Sequence, residues 1–221
     1  MDAGAGSAGA GAFQPDVTAW SAWRPEEVAR RFAGVEAPWY VAAGWAIDLF
    51  LGFQRRDHED LEVAIPHDRI GELTPKLEDC EIFVVGDGLA WPLAQAGEMA
   101  VAHHQTWVRE SATGLWRLDI FREPSAGETW ICRRDDRIRL PYDRVIAWTA
   151  DGIPYARPEI VLLFKAKGGR PKDDDDLAAV LPTLEPEAQR WLIAALEMVH
   201  PGHRWLDTLR GQANPLQQEE G

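Results

Sequence analysis

Two carboxylates that alternate with apolar residues constrain this chain more than any other feature. Residues 60–65 read Asp-Leu-Glu-Val-Ala-Ile. Successive side chains of a strand point to opposite faces, so Asp60 and Glu62 are expected on one face and the apolar residues on the other, towards a core. Neighbouring carboxylates repel each other, and their burial without partners is costly. A divalent cation relieves both problems, and Mg²⁺ prefers oxygen ligands of this kind.

The residues before this strand extend the pattern into a longer motif. Residues 44–62 read Gly-Trp-Ala-Ile-Asp-Leu-Phe-Leu-Gly-Phe-Gln-Arg-Arg-Asp-His-Glu-Asp-Leu-Glu. The motif resembles that of the polymerase-beta-type nucleotidyltransferases, especially the small antibiotic-modifying branch that adenylylates aminoglycosides and lincosamides. That branch typically reads Gly-Gly-Trp-Ala-x-Asp, then Leu-Gly, Arg-x-His-x-Asp and a final acidic residue two positions on. The matching positions here are Gly44, Trp45, Asp48, Leu51, Gly52, Arg56, His58, Asp60 and Glu62.

Two positions differ from the typical motif. Ala43 stands where the first glycine is common, and Glu62 replaces the more usual second aspartate. Glu62 still supplies a carboxylate, but its longer side chain moves the metal. The methyl group of Ala43 lies near the expected path of the phosphates. Both departures favour an alternative in which the chain binds a nucleotide or ligand without catalysis.

The resemblance also implies a third carboxylate on a neighbouring strand. The family's Trp-x-x-Asp segment, which follows a His-Gln-x-Trp strand, matches residues 116–119 after residues 104–107 and points to Asp119. Alternation places Asp119 opposite the apolar face of its own strand, and the competing interpretation is a surface aspartate on an edge strand. Asp60, Glu62 and Asp119 are therefore the predicted catalytic residues and Mg²⁺ ligands. The general base is left open between Asp119 and an unassigned acid of the acceptor cleft.

The predicted nucleotide-binding residues are basic, aromatic or at a helix start. The backbone N–H groups that follow Gly44 can bind phosphate. Arg56 and His58 either contact phosphate or order their loop, and Trp45 is one of the aromatic residues that could face a base. Lys165 lies in a segment resembling the helix and lysine-rich turn that close the nucleotide site in this family. A lysine near the end of a helix is also favoured by the helix dipole alone.

Composition excludes several classes of function. The chain has 221 residues and a formal net charge of -13, which argues against a nucleic-acid partner and is compatible with a cationic small-molecule acceptor. No apolar run approaches the ~20 residues that span a membrane. The start of the chain lacks a signal-peptide pattern, so a cytoplasmic protein is expected. Cys80 and Cys132 match no metal or redox spacing and are expected as free thiols.

The order of predicted elements indicates an α+β fold, a nucleotidyltransferase-type mixed sheet flanked by helices with a small C-terminal helical segment. Three regions are predicted: a disordered Ala/Gly-rich tail over 1–15, a nucleotidyltransferase domain over 16–150 and a C-terminal helical segment over 151–221. The predicted strands include residues 57–65, 101–109 and 115–121. The predicted helices include residues 45–53, 68–77, 159–167, 173–181 and 186–198.

Three functional hypotheses follow from these patterns. The first is an Mg²⁺-dependent enzyme that transfers a nucleoside monophosphate, AMP from ATP, to a hydroxyl of an aminoglycoside-like or lincosamide-like acceptor. The second is a protein-adenylylating enzyme of the toxin–antitoxin type. The third is an inactive homologue that binds a nucleotide or ligand. The identity of the acceptor, the preferred nucleotide and the oligomeric state are not specified by the sequence.

Overall fold

The computed structural model describes residues 11–213, with only the backbone of residues 212 and 213. In chain order the helices are α1 (Pro25–Arg31), α2 (Ala43–Leu51), α3 (Glu98–Ala102), α4 (Pro158–Lys165), α5 (Pro171–Val180), α6 (Pro186–Val199) and α7 (Trp205–Ala213). The strands are β1 (Tyr40–Val41), β2 (Glu62–Pro66), β3 (Cys80–Gly86), β4 (Leu89–Pro92), β5 (Gln105–Glu110), β6 (Trp116–Glu123), β7 (Ser125–Ala126), β8 (Thr129–Ile131), β9 (Arg139–Pro141), β10 (Ile146–Trp148) and β11 (Pro154–Ala156).

The chain divides into two compact units, each built from two separate stretches of sequence. Unit 1 comprises Met1–Trp39 and Glu59–Glu123, and unit 2 comprises Tyr40–His58 and Pro124–Gly221. Of the predicted tail, residues 1–10 lie outside the described residues, whereas Phe13 forms an isolated antiparallel bridge with Ala90. The predicted division at residue 150 stays a prediction.

Unit 1 contains a mixed sheet whose strands lie in the order β2-β6-β5-β3-β4. Strands β2 and β6 are parallel, while the remaining neighbours are antiparallel. The core side of β2 carries Val63 and Ile65, and that of β6 carries Leu118 and Ile120, all nearly fully buried. Burial of this apolar face fixes the register, because a slip by one residue would turn each side chain to the opposite face.

Unit 2 combines short strands with most of the helices. Strand β11 pairs in parallel with β1 and antiparallel with β10, and β7, β8 and β9 form a separate three-stranded sheet. Helix α2 is largely apolar and ends at Gly52, whose left-handed conformation (φ 81°) suits a glycine after a helix. Helix α4 begins with Pro158 in its first turn, where a missing N–H costs nothing.

The predicted fold class, a mixed sheet flanked by helices, is confirmed, but several element boundaries differ. Residues 68–77 form two 3₁₀ helices, His67–Glu72 and Thr74–Lys76, in place of one α-helix. Pro75 lacks the N–H that a continuous α-helix would use. Strand β2 starts only at Glu62, and β5 starts only at Gln105 because α3 occupies the preceding residues.

None of the helices within residues 11–213 combines the length and the apolar character that a membrane-spanning helix requires.

Candidate functional site

The carboxylates of unit 1 lie on adjacent parallel strands. Glu62 on β2 is in register with Asp119 on β6, and the backbone N–H of Asp119 donates to the carbonyl oxygen of Leu61 at 2.9 Å. Paired residues of neighbouring strands project to the same face. Asp60 precedes the strand by two residues and is half-buried, as is Glu62. The structure therefore places Asp119 on the same side of the sheet as Glu62.

The surroundings of Asp119 disfavour its negative charge. The side chain is only 3% exposed. Burial first, and then the Glu62 carboxylate, raise the pKa of Asp119 well above its usual range, and Asp60 acts in the same direction. A hydrogen bond of 2.7 Å from Gln105 Nε2 to Asp119 Oδ2 opposes these effects. The folded protein thus holds the buried Asp119 carboxylate near two further acidic groups that disfavour its negative charge.

The chemistry of this cluster fits a divalent cation. Asp119 Oδ1 is buried and has no hydrogen-bond partner within the described part of the chain. A buried carboxylate oxygen of this kind costs free energy unless a cation or donor meets it. Carboxylates are also the oxygen ligands that Mg²⁺ prefers. As the side chains stand, however, residues 11–213 contain no group of three or more His, Cys, Asp or Glu close enough to hold a metal ion.

The motif residues of unit 2 pack around Gly44. A Cβ atom at this position would lie 2.5 Å from Arg56 Nη2 and 2.8 Å from the His58 ring. His58 Nε2 donates to Asp48 Oδ2 at 2.6 Å, and its ring stacks on Trp45 with centroids 4.4 Å apart. Burial lowers the pKa of His58, although the Asp48 hydrogen bond opposes this shift. Glycine is therefore required at position 44 to admit the arginine and histidine side chains.

A buried ion-pair network continues from Asp48 through unit 2. Arg55 contacts both Asp48 and Asp176. Lys165 Nζ lies 2.8 Å from an Asp176 oxygen and 3.4 Å from an Asp173 oxygen, and all three side chains are almost fully buried. The ammonium group of Lys165 is therefore already paired with two carboxylates. Its predicted contact with a triphosphate stays a prediction.

Ala43 adopts a strained backbone conformation at the position where the resemblance led us to expect glycine. Its φ is 49°, in the left-handed region that non-glycine residues rarely occupy. The methyl group makes this conformation about 1–2 kcal/mol less favourable. A glycine would relieve the strain but would also increase the conformational freedom of the unfolded chain. The departure from the motif is thus a local stability cost.

We predict that Ala43→Gly raises the free energy of unfolding by about 0.5–1 kcal/mol, the strain relieved minus the added unfolded-state freedom. Urea denaturation would measure the change. Ala46→Gly is the matched control, because Ala46 is fully buried inside the same helix and glycine there should destabilise by about 1 kcal/mol or more. A lower free energy of unfolding in Ala43→Gly than in the wild type would show that the backbone at Ala43 is not strained.

Sequence reasoning missed Gln105 and the network around Asp176. Gln105 lies in the His-Gln-x-Trp segment, and its alternation with Trp107 on one strand face was the available signal. Asp176 belongs to a run of four aspartates at the start of a helix, a pattern typical of a solvated helix end, but it is fully buried. Helical periodicity over residues 173–180 places Asp173, Asp176 and Leu177 on one side, which could have suggested a buried face.

Comparison with known proteins supports the predicted class. A family model described as aminoglycoside-2''-adenylyltransferase matches residues 26–99, a segment that includes Gly44, Asp60 and Glu62. A solution structure of the antibiotic-resistance factor ANT(2'')-Ia superimposes with a TM-score of 0.51 at 16% identity, covering 85% of this chain and 94% of that one. The chain has the nucleotidyltransferase fold. The resemblance and the predicted enzyme class, a nucleotidyltransferase, are confirmed.

Two further solved structures are similar to this chain. The lincosamide antibiotic adenylyltransferase LnuA, with lincomycin bound, gives a TM-score of 0.49 at 17% identity, covering 70% of this chain and 92% of that one. ANT(2'')-Ia in complex with adenylyl-2''-tobramycin gives a TM-score of 0.46 at 16% identity, covering 86% of this chain and 94% of that one. No curated protein matches the chain with significant sequence similarity.

Proposed function

We propose that this chain is an Mg²⁺-dependent adenylyltransferase that transfers AMP from ATP to a hydroxyl of a small antibiotic, an aminoglycoside in the first instance. The observation that carries the proposal is the register of Glu62 with Asp119, next to the unpartnered Asp119 Oδ1. The adenylyltransferase family model covers the strand that carries Glu62. A lincosamide acceptor is the second choice, on the strength of the motif resemblance.

The proposed reaction is a displacement at the α-phosphorus of ATP. The hydroxyl oxygen of the acceptor forms a bond to this phosphorus, the bond from the phosphorus to the β-phosphate oxygen breaks, and the hydroxyl proton passes to a base. Pyrophosphate leaves. Asp60, Glu62 and Asp119 would hold Mg²⁺, which neutralises charge on the phosphates when bound. In such transfers the protein contributes mainly positioning and electrostatic stabilisation.

The nucleotide is proposed to be held by Gly44, Trp45, Arg56, His58 and Lys165. The close packing of Arg56 and His58 against Gly44 fixes a guanidinium and an imidazole beside the start of α2. Hydrogen bonding to Asp48 and stacking on Trp45 restrain the His58 ring. Arginine suits phosphate because its guanidinium can donate two parallel hydrogen bonds.

The charge of the chain suits a cationic acceptor. A net charge of -13 attracts polyamine antibiotics over a long range and repels nucleic acids. The reaction also requires a compartment that contains ATP, so we propose that the protein acts in the cytoplasm.

A pyrophosphate-release screen tests the proposal. Each of ATP, GTP, CTP and UTP is incubated with a panel of aminoglycosides and lincosamides, with and without Mg²⁺. We expect release with ATP, an aminoglycoside and Mg²⁺ together, and a mass increase of the antibiotic by one adenylyl group. Labelling of a polypeptide without any antibiotic turnover would support the protein-adenylylating alternative. Calorimetric ATP binding without turnover for any acceptor would support the inactive homologue, and either result would overturn the proposal.

A further inference from the structure

The two oxygens of the Asp119 carboxylate have different surroundings. Oδ2 accepts the 2.7 Å hydrogen bond from Gln105 Nε2, whereas Oδ1 is buried without a hydrogen-bond partner among residues 11–213. The indole of Trp107, directly opposite Asp119 in the ladder, also favours the charged form but makes no hydrogen bond of good geometry. One oxygen is thus anchored by an amide, and the other has no hydrogen-bond donor among the described residues.

The amide that anchors Asp119 is itself firmly placed. The backbone of Gln105 lies between two neighbouring strands, opposite Phe121 of β6 and Val85 of β3. The residue just before it is also tied to β6, because Arg122 N donates to the His104 carbonyl at 2.8 Å. The buried Arg122 guanidinium in turn donates to the carbonyl of His103 at 2.6 Å. The backbone at the start of β5 is therefore held in place by hydrogen bonds from β6.

Rotation of the carboxylate is the motion that this anchor prevents. The terminal torsion of an aspartate is broad, so the packing of Asp119 alone leaves the tilt of its carboxylate plane loosely defined. A donor that holds one carboxylate oxygen restricts this torsion and so fixes the direction in which the second oxygen points. In metal sites, partners that hold a ligating carboxylate in this way contribute about 10–100-fold to metal affinity.

We propose that Gln105 is the positioning residue of the site: it fixes Asp119 by Oδ2 so that Oδ1 is presented to a divalent cation. This inference rests on the proposed function and adds to it a residue that acts through Asp119. Gln105 touches neither nucleotide nor acceptor in this scheme.

Manganese binding tests the inference without turnover. Mn²⁺ is titrated into the full-length protein, and electron paramagnetic resonance measures the free ion. Gln105→Met keeps the length of the side chain and removes the donor, and we expect Mn²⁺ affinity to fall at least about tenfold. Gln105→Asn retains an amide, but its shorter side chain cannot reach Oδ2, and we expect the same loss of Mn²⁺ affinity. This second variant keeps the test valid if Gln105→Met does not fold. Gln95→Met is the matched control, an exposed glutamine of the same unit.

A double-mutant cycle shows whether Gln105 acts through Asp119. In an Asp119→Asn background, adding Gln105→Met should cause no further loss of Mn²⁺ affinity. In turnover assays at saturating substrates, Gln105→Met should lower kcat with the KM for the acceptor unchanged. An equal loss in both backgrounds, or wild-type affinity in Gln105→Met and Gln105→Asn, would overturn the inference while the proposed function stands. A wild-type protein that neither binds Mn²⁺ nor releases pyrophosphate would overturn both.

Discussion

Asp119→Asn is expected to lower the rate of pyrophosphate release at least about a thousandfold and to leave the metal-free protein as stable as the wild type or more so. The activity falls because a neutral amide holds Mg²⁺ far less tightly than a carboxylate, and the charge stabilisation from a metal ion is worth several kcal/mol. Stability is retained because the substitution keeps the shape of the side chain. It also removes a buried negative charge that faces Glu62 and Asp60.

Two measurements check this prediction. Pyrophosphate release under single-turnover conditions gives the rate, and differential scanning calorimetry in chelator gives the melting temperature. Asp68→Asn makes the same chemical change at an exposed position of unit 1 and should alter neither quantity. A wild-type rate of pyrophosphate release in Asp119→Asn would show that the Asp119 carboxylate takes no part in the reaction. A melting temperature well below that of the wild type would show that Asp119 stabilises the fold instead.

Lys165→Met is expected to destabilise the protein by about 3 kcal/mol, the lower end of the cost of breaking a buried ion pair. The variant leaves Asp176 and Asp173 buried without the ammonium group that lies between them. Arg55 still contacts Asp176, which limits the loss. For a chain of this size, such a change lowers the melting temperature by roughly 6–12 °C.

Lys167→Met provides the control, because Lys167 is exposed only two residues further along the chain. Its removal should change the free energy of unfolding by no more than about 0.5 kcal/mol. Thermal denaturation of both variants makes the comparison, and equal melting temperatures would refute a structural role for Lys165. The KM for ATP, measured well below the melting temperature, separately tests the predicted contact of Lys165 with the triphosphate.

The carboxylates of unit 1 illustrate how far the sequence could predict the candidate site. Alternation within each strand placed Glu62 and Asp119 opposite the apolar faces, and the motif resemblance suggested that their strands are neighbours. Neither source specifies the register between strands that are distant in the chain. For the same reason Gln105 was not recognised, because periodicity along β5 does not tell which residue of β6 lies opposite.

Tertiary contacts explain the other differences between expectation and structure. Lys165 follows an apolar helical run and could be read as a solvated helix end, but its two carboxylate partners come from the next helix. Ala43 was recognised as a departure from the motif, whereas its left-handed backbone becomes visible only in the folded chain. Local patterns specify which residues can be buried, and the partners that make burial tolerable come from elsewhere.

The interleaving of the two units restricts how this protein can be dissected or can diversify. The chain leaves unit 1 after Trp39, returns at Glu59 and departs again after Glu123, so no single cut separates the units. A fragment truncated at residue 123 would retain β1 and α2 but lose β11 and α4, against which they pack. Exchange of a contiguous gene segment that carries β1 and α2 without β11 and α4 would break the same contacts. New substrate preferences are therefore expected to arise through point substitutions and altered loops and not through the shuffling of intact modules.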